Sequence, residues 1–304
     1  MKKSIRLPLW STSLVLIFSL LLFACNTTKT VTETTTKAEQ KSLEKSLLWK
    51  ISGPDIKESY LFGTIHILPQ SDFALQKGVE EAFAEAEKII LEIDMDDPGM
   101  QVEMMQYAKM PDGQSLDKLL TEAEYAQLDK WVQKSANVKL KMVQNLQPIL
   151  LTALIIGEYL DGPPASYEGT FVTMAQAQKK EILGLESIKE QMEAIAGYGI
   201  DSQVKDMKKM LADPEQYREA FTQLLAMYKT QDPDGLYDLI ESQMSGGDMN
   251  ANLLEKRNQN WVPRIQEFAA EQSCFFAVGS GHLGGEKGVI RLLRGAGYTL
   301  TPVQ

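Results

Sequence analysis

The periodicity of apolar and polar positions changes several times along this chain. Residues 14–23 are almost continuously apolar, and residues 26–45 are polar, rich in Thr, Ser, Lys, Glu and Gln. From residue 47 the pattern becomes that of a folded body. Leu47 to Ile51 and Ser59 to Gly63 are strand-like and flank the turn cluster Ser52-Gly53-Pro54-Asp55, which predicts a β-hairpin. After Pro69 a helical stretch places Phe73, Val79, Ala82, Phe83 and Ala86 broadly on one face. Lys88 to Asp94 reads as a buried strand that emerges into acid at Asp96-Asp97-Pro98-Gly99. The middle is helical. Ser115 caps a predicted helix carrying Leu116, Leu119, Leu120, Leu128, Trp131 and Val132, and Pro148 starts another that reaches Leu160. A helix over 170–179 leads into a strand ending at Glu186. Residues 187–270 are again helical, broken near Asp213-Pro214, Asp232-Pro233-Asp234-Gly235 and Ser245-Gly246-Gly247. A strand (274–279), a helix (285–296) and a last strand (298–303) close the chain. Strands and helices that alternate at both ends of a helical middle section predict one α/β domain over 47–304 with a central mixed sheet.

The first 24 residues read as an address rather than as structure. Lys2, Lys3 and Arg6 precede the apolar run, which has the length of a signal-peptide core and is short for a membrane span. It ends in Leu22-Phe23-Ala24-Cys25, which resembles a bacterial lipobox; that resemblance makes Cys25 the lipidated first residue of the mature chain. The alternative is a retained signal anchor, which Pro8 and the Ser/Thr at 11–13 argue against. Residues 25–46 are too polar to bury a core and read as a flexible tether. The expected location is the bacterial cell envelope, anchored in the bilayer through acylated Cys25. Asn26, rather than Asp, favours the periplasmic face of the outer membrane if the host is Gram-negative.

Composition narrows the function. With 31 basic and 41 acidic residues the net charge is −10, so nothing suggests a nucleic-acid partner. Two cysteines exclude a disulfide framework, and Cys274, inside an apolar run, reads as a buried strand residue. There are only two histidines, and both stand in the same setting. Gly63-Thr64-Ile65-His66 and Gly279-Ser280-Gly281-His282 each follow an apolar strand and precede a loop and a helix. Strand ends in α/β sheets open onto ligand crevices, and a histidine there serves as metal ligand or proton carrier. Two histidines rarely complete a metal site, and carboxylates supply the rest. Glu92 and Glu186, at the ends of apolar strands, are the candidates, with solvated strand ends as the alternative. Asp94, Asp96 and Asp97 read as a solvated turn. No His-Glu-x-x-His helix, Gly-x-Ser-x-Gly elbow or P-loop occurs.

These motifs resemble the TraB/GumN family, related to the Tiki proteins, which are membrane-tethered metalloproteases that clip Wnt ligands. The marks are Tyr60-Leu61-Phe62-Gly63-Thr64-Ile65-His66, Leu91-Glu92-Ile93-Asp94, Gly184-Leu185-Glu186-Ser187 with Gln191, Arg257-Asn258 with Trp261, and Ala277 to Leu283 with Gly297-Tyr298. The resemblance implies a metal-dependent hydrolase site at the paired Gly-x-x-His motifs. It makes His66, His282 and Glu92 essential, adds Glu186 as a second acid, and marks Arg257 and Asn258. A Gly-x-Asp element common in the family is matched here only by the longer Glu168, in Ser166-Tyr167-Glu168-Gly169. The expected cofactor is a divalent ion (manganese, cobalt or zinc) held by His66 and His282. Glu92 or Glu186 would complete the shell and the other would act as base. Arg257 would stabilise an oxyanion or bind a substrate carboxylate, and Asn258 would donate a hydrogen bond. The expected substrate is a peptide or protein. A lipoprotein that sequesters a peptide signal or a metal without turnover is the alternative, and metal-free acid–base hydrolysis is a third reading.

Overall fold

The computed structural model describes residues 41–243 and 251–303. The proposed signal peptide, Cys25 and the break at 245–247 lie outside them. Among the described residues no helix is long and apolar enough to cross a membrane.

The predicted hairpin forms from β1 (Leu48–Ser52) and β2 (Ser59–Thr64), antiparallel with Leu48 opposite Phe62. The other sheet strands are β4 (Lys88–Leu91), β6 (Glu181–Gly184), β7 (Cys274–Gly279) and β8 (Thr299–Val303). They make one mixed six-stranded sheet in the order β6-β4-β7-β2-β1-β8. The four strands β6, β4, β7 and β2 are parallel, and β1 and β8 extend the sheet antiparallel at one edge. Every residue of β7 is buried, as a continuous apolar run at the centre of a parallel sheet requires. Cys274 is one of them; burial pushes its thiol up to about 12, which leaves it inert.

The helices are α1 (Lys77–Glu85), α2 (Met100–Tyr107), α3 (Leu116–Leu119), α4 (Glu122–Ala136), α5 (Leu140–Val143), α6 (Pro148–Ile155) and α7 (Tyr167–Gln178). After β6 follow α8 (Ile188–Ala196), α9 (Ile200–Ala212), α10 (Pro214–Lys229), α11 (Pro233–Gln243) and α12 (Lys256–Glu271), with α13 (Val289–Gly295) after β7. The helix expected from Ser115 through Val132 is two helices. Thr121 stops the first and caps the second with a full capping box to Glu124, and Leu120 between them is extended. A short pair, β3 (Leu68–Pro69) with β5 (Pro164–Ala165), lies where only turn signals stand in the sequence. The strands expected to run to Asp94 and Glu186 end at Leu91 and Gly184, so both glutamates stand just past their strands.

The last residues of the segment read as a tether, 41–46, lie against this body. Leu43 and Ser46 are buried. The Asp234 carboxylate accepts from Leu43 N (2.9 Å), from Gly285 N (3.0 Å) and from both terminal nitrogens of Arg291 (2.6 and 2.9 Å). Burial would raise this carboxyl, but these donors hold it down at about 2. A depressed carboxylate contributes stability above its unfolded value and loses it as the pH falls through the folded one. Asp234→Asn is therefore expected to cost about 1–2 kcal/mol near neutrality. The gap to wild type should close below about pH 4. Urea unfolding at several pH values reads this directly, and a pH-independent gap would refute it.

Candidate active site

Topology brings the site together. The two Gly-x-x-His motifs leave neighbouring parallel strands, with Thr64 of β2 opposite Gly279 of β7. Their loops pack on each other at Gly63, where a Cβ would lie 2.5 Å from Leu283 Cδ1. On the far side of β7, β4 and β6 end together, and the ladder continues past them from Leu185 N to Leu91 O (2.8 Å) and from Glu186 N to Glu92 O (2.9 Å). Four adjacent parallel strands thus deliver Glu186, Glu92, His282 and His66 along one carboxyl edge, where ligand crevices form in α/β sheets.

Each histidine is anchored through Nδ1. His66 Nδ1 lies 2.6 Å from Glu168 Oε1, which also accepts from Thr64 Oγ1 at 2.5 Å, while Ser166 Oγ donates to Oε2 at 3.0 Å. Glu168 sits in the first turn of α7, whose N-cap is Ser166. Burial works against the His66 imidazolium, but the Glu168 charge outweighs it and raises the histidine above its ordinary value. His282 Nδ1 lies 2.6 Å from Asn258 Oδ1, and the Asn258 amide donates to Lys287 O at 2.9 Å. The acceptor on Asn258 assigns the proton of His282 to Nδ1 and leaves Nε2 with its lone pair. Burial, together with Arg257, lowers His282 to about 3, so it is neutral.

Arg257 is the buried hub. It follows a short π-helical turn, Ala251–Glu255, at the start of α12. Its Nε and Nη2 reach Glu186 Oε1 at 2.9 and 2.6 Å, and Nη2 also reaches Glu92 Oε2 at 2.5 Å. Its Nη1 donates to Leu253 O at 2.9 Å and lies 3.1 Å from His282 Nε2. Trp261, one turn further along α12, donates to Glu186 Oε2 at 3.1 Å and packs its ring 4.4 Å from that of His282. The two acids respond differently. Burial raises Glu186, and Arg257 only partly opposes it. Burial also pushes Glu92 up, but Arg257, His66 and the Gly279 N–H (2.7 Å to Oε1) outweigh it and hold Glu92 far below the usual range.

The cleft at this edge is lined by His66, Leu91, Glu92, Ile93, Met95, Glu168 and Gln191. Of the two strand-end acids Glu92 faces it, and Glu186 is turned to Arg257 and Trp261. Arg257 itself is spent between the two acids, and the Asn258 amide is spent on His282 and Lys287, so neither points a free donor into the cleft. Glu168, Gln191 and the Gly279 N–H complete the site. Glu168 and Gln191 carried signals in the family motif; the N–H carried none.

The donor chemistry suits a divalent ion. With each Nδ1 held by an oxygen acceptor, Nε2 is the atom of each ring that would ligate an ion. A Cβ at Gly279 would lie 2.9 Å from His66 Nε2 and 3.3 Å from Glu92 Oε1, so these two atoms flank one point, and His282 Nε2 lies 3.8 Å from the same Glu92 oxygen. His66 and His282, with Glu92 beside them, are the residues that would hold an ion. Arg257 Nη1 now takes the His282 lone pair, and among the described residues no three His, Cys, Asp or Glu side chains are gathered tightly enough to enclose an ion. An ion held by both rings would therefore require Arg257 Nη1 to release His282. Gly279→Ala should displace the His66 ring, which can swing, rather than unfold the sheet. The expected result is about tenfold or more weaker metal binding in calorimetry, with a stability loss of about 1–3 kcal/mol from the extra methyl in a packed site. Unchanged binding would show that His66 does not bind through Nε2.

A family model for the TraB/PrgY/gumN family matches residues 47–302. The chain belongs to the TraB/PrgY/gumN family. Among curated relatives, metalloprotease TIKI2 of Danio rerio is 22% identical over 333 aligned positions, covering 85% of this chain and 61% of the relative. Metalloprotease TIKI1 of Xenopus tropicalis is 22% identical over 321 positions, covering 86% and 62%. This TraB/PrgY/gumN chain thus spans about three fifths of the length of the curated relatives it matches. No solved structure matches it significantly. The matched span includes both Gly-x-x-His motifs, Glu92, Glu186 and the Arg257-Asn258 pair.

Proposed function

We propose that the chain is a metal-dependent hydrolase of peptides, held in the bacterial cell envelope by a lipid on Cys25. One observation carries the enzymatic reading. Two histidines just past the ends of adjacent strands have their Nδ1 atoms pinned to acceptors and stand beside one ionised carboxylate, Glu92. The named relatives, metalloproteases, support the same reaction class. His66 and His282 would hold a divalent ion, which would supply a lowered water pKa and a Lewis acid for a scissile carbonyl. Glu168 and Asn258 fix the two rings. Arg257 keeps Glu92 ionised, and the Gly279 N–H orients its Oε1, the oxygen placed to take a proton. Glu186 anchors Arg257. Manganese, cobalt and zinc all suit an imidazole and carboxylate set.

A second reading rests on the His66–Glu168 pair. A histidine backed by a buried carboxylate is a general base in its own right, which would allow hydrolysis without metal. Residues 26–304, stripped of metal and titrated with the three ions by calorimetry beside His66→Ala and His282→Ala, separate the readings. Near-stoichiometric binding lost in both variants, with peptide cleavage that a chelator stops, is the expected result. Cleavage that survives a strong chelator assigns the chemistry to His66–Glu168. Stoichiometric peptide capture without new ends would show a sequestering lipoprotein.

A further inference from the structure

Gln191, in α8, is 2% exposed and lines the cleft. Its Nε2 donates to Glu92 Oε2 at 3.2 Å. A carboxylate held ionised by Arg257 accepts only, so this contact fixes which end of the amide is nitrogen. The other end, Oε1, is buried and has no hydrogen-bond partner among the described residues. An unpaired buried acceptor costs stability and is uncommon in a native interior. The carboxylate and the amide oxygen are both acceptors, so neither can satisfy the other. Glu92 already accepts from Arg257, the Gly279 N–H and Gln191, so the amide oxygen is the group that lacks a donor, and a small donor bridging it to Glu92 would satisfy it. The open space between the cleft walls is about 20 Å³, room for one water.

We propose that Gln191 Oε1 and Glu92 together anchor the hydrolytic water of this site, each accepting one of its hydrogens. A water bound in this way turns its lone pairs away from both acceptors, free for an incoming carbonyl carbon. On attack, the oxygen forms its bond to that carbon as the carbonyl π bond breaks and its electron pair moves onto the carbonyl oxygen. The proton donated to Glu92 passes to the carboxylate, and the second stays with the new hydroxyl, held by Gln191. Gln191 is thus a positioning residue, acting through the water and through the rotamer of Glu92. The inference rests on the hydrolase reading above for the water's task, but not for its place.

The test uses residues 26–304 and the variants Gln191→Met and Gln191→Asn. Methionine keeps the volume without the acceptor; asparagine keeps an amide one carbon shorter. In crystals of the metal-free wild type, a water is expected within about 2.6–3.2 Å of both Gln191 Oε1 and a Glu92 oxygen. It should be missing or displaced in Gln191→Met. In turnover assays the methionine variant should lose about tenfold in kcat with KM unchanged and normal thermal unfolding, and asparagine should recover part of it. A water that stays in place in Gln191→Met, an Oε1 paired with a protein donor, or a change confined to KM overturns the proposal. A wild type that holds the water but cleaves no peptide sinks the hydrolase reading and the water's task with it. Gln191 would then remain an anchor, a pattern distinct from the first.

Discussion

Arg257→Met is expected to lower the stability of the domain by about 3–5 kcal/mol, the range seen when one partner of a buried ion pair is removed. Its guanidinium is almost fully buried and is the one cation in contact with both Glu92 and Glu186 among the described residues. Without it Glu186 keeps only the Trp261 N–H, and Glu92 keeps the Gly279 N–H and the Gln191 amide. Burial, already the largest influence on both acids, is then unopposed by a full charge. Both carboxyls rise above their unfolded values and take up protons on folding. The sign of the pH dependence follows. In the wild type the depressed Glu92 contributes stability above its unfolded value and loses it as the pH falls. In the variant the raised acids cost stability as the pH climbs. The deficit should therefore be larger at about pH 8 than at about pH 5. Arg257→Lys, which keeps the charge but not the planar fork, should fall between. Urea unfolding of the three proteins at the two pH values checks this. A methionine variant within about 1 kcal/mol of wild type at both would mean that the acids are hydrated.

Arg257 also shows what a sequence displays and what it hides. The apolar runs ending in Gly63 and Gly279 announce strands, and the repeated Gly-x-x-His announces a site. Nothing local says that these strands are neighbours, since Thr64 and Gly279 meet only through the sheet register. The acids were legible as isolated charges at the ends of apolar runs. Their division of labour was not, because it depends on an arginine carried in by α12 from another part of the chain. An exposed Arg257 and a buried one have the same sequence, and only burial between two acids turns it from an oxyanion partner into the clamp that ionises Glu92. Glu168 stood in a motif position one methylene too long for an aspartate. Its capped helix start and the Thr64 hydroxyl show how that reach is used. The β3–β5 pair was hidden for the opposite reason: its prolines, Pro69 and Pro164, signal turns. The split at Leu120 was legible in Thr121-x-x-Glu124 but was overridden by the apolar periodicity across it.

Glu92→Gln should separate chemistry from scaffolding. Hydrolysis is expected to fall by about 10²–10⁴-fold, the usual worth of a positioned general base. Arg257 still has Glu186, so the buried cation stays paired and the fold survives. The cost is local. An amide offers one oxygen to three donors, Gly279 N–H, Arg257 Nη2 and Gln191 Nε2, that now share a carboxylate, which predicts a loss of about 1–2 kcal/mol. A base held this far below neutrality is weak by itself and suffices only if the attacking water is acidified. Loss of turnover in Glu92→Gln, with ion binding within about tenfold of wild type, would be the signature of that division. Binding that collapses as in His66→Ala would make Glu92 a ligand and leave the proton to another group. The wild-type rate at acid pH carries a second check. Because Arg257 keeps Glu92 ionised, no loss of activity from Glu92 protonation should appear between about pH 8 and pH 5. An acid limb within that window that vanishes in Glu92→Gln would contradict the clamp.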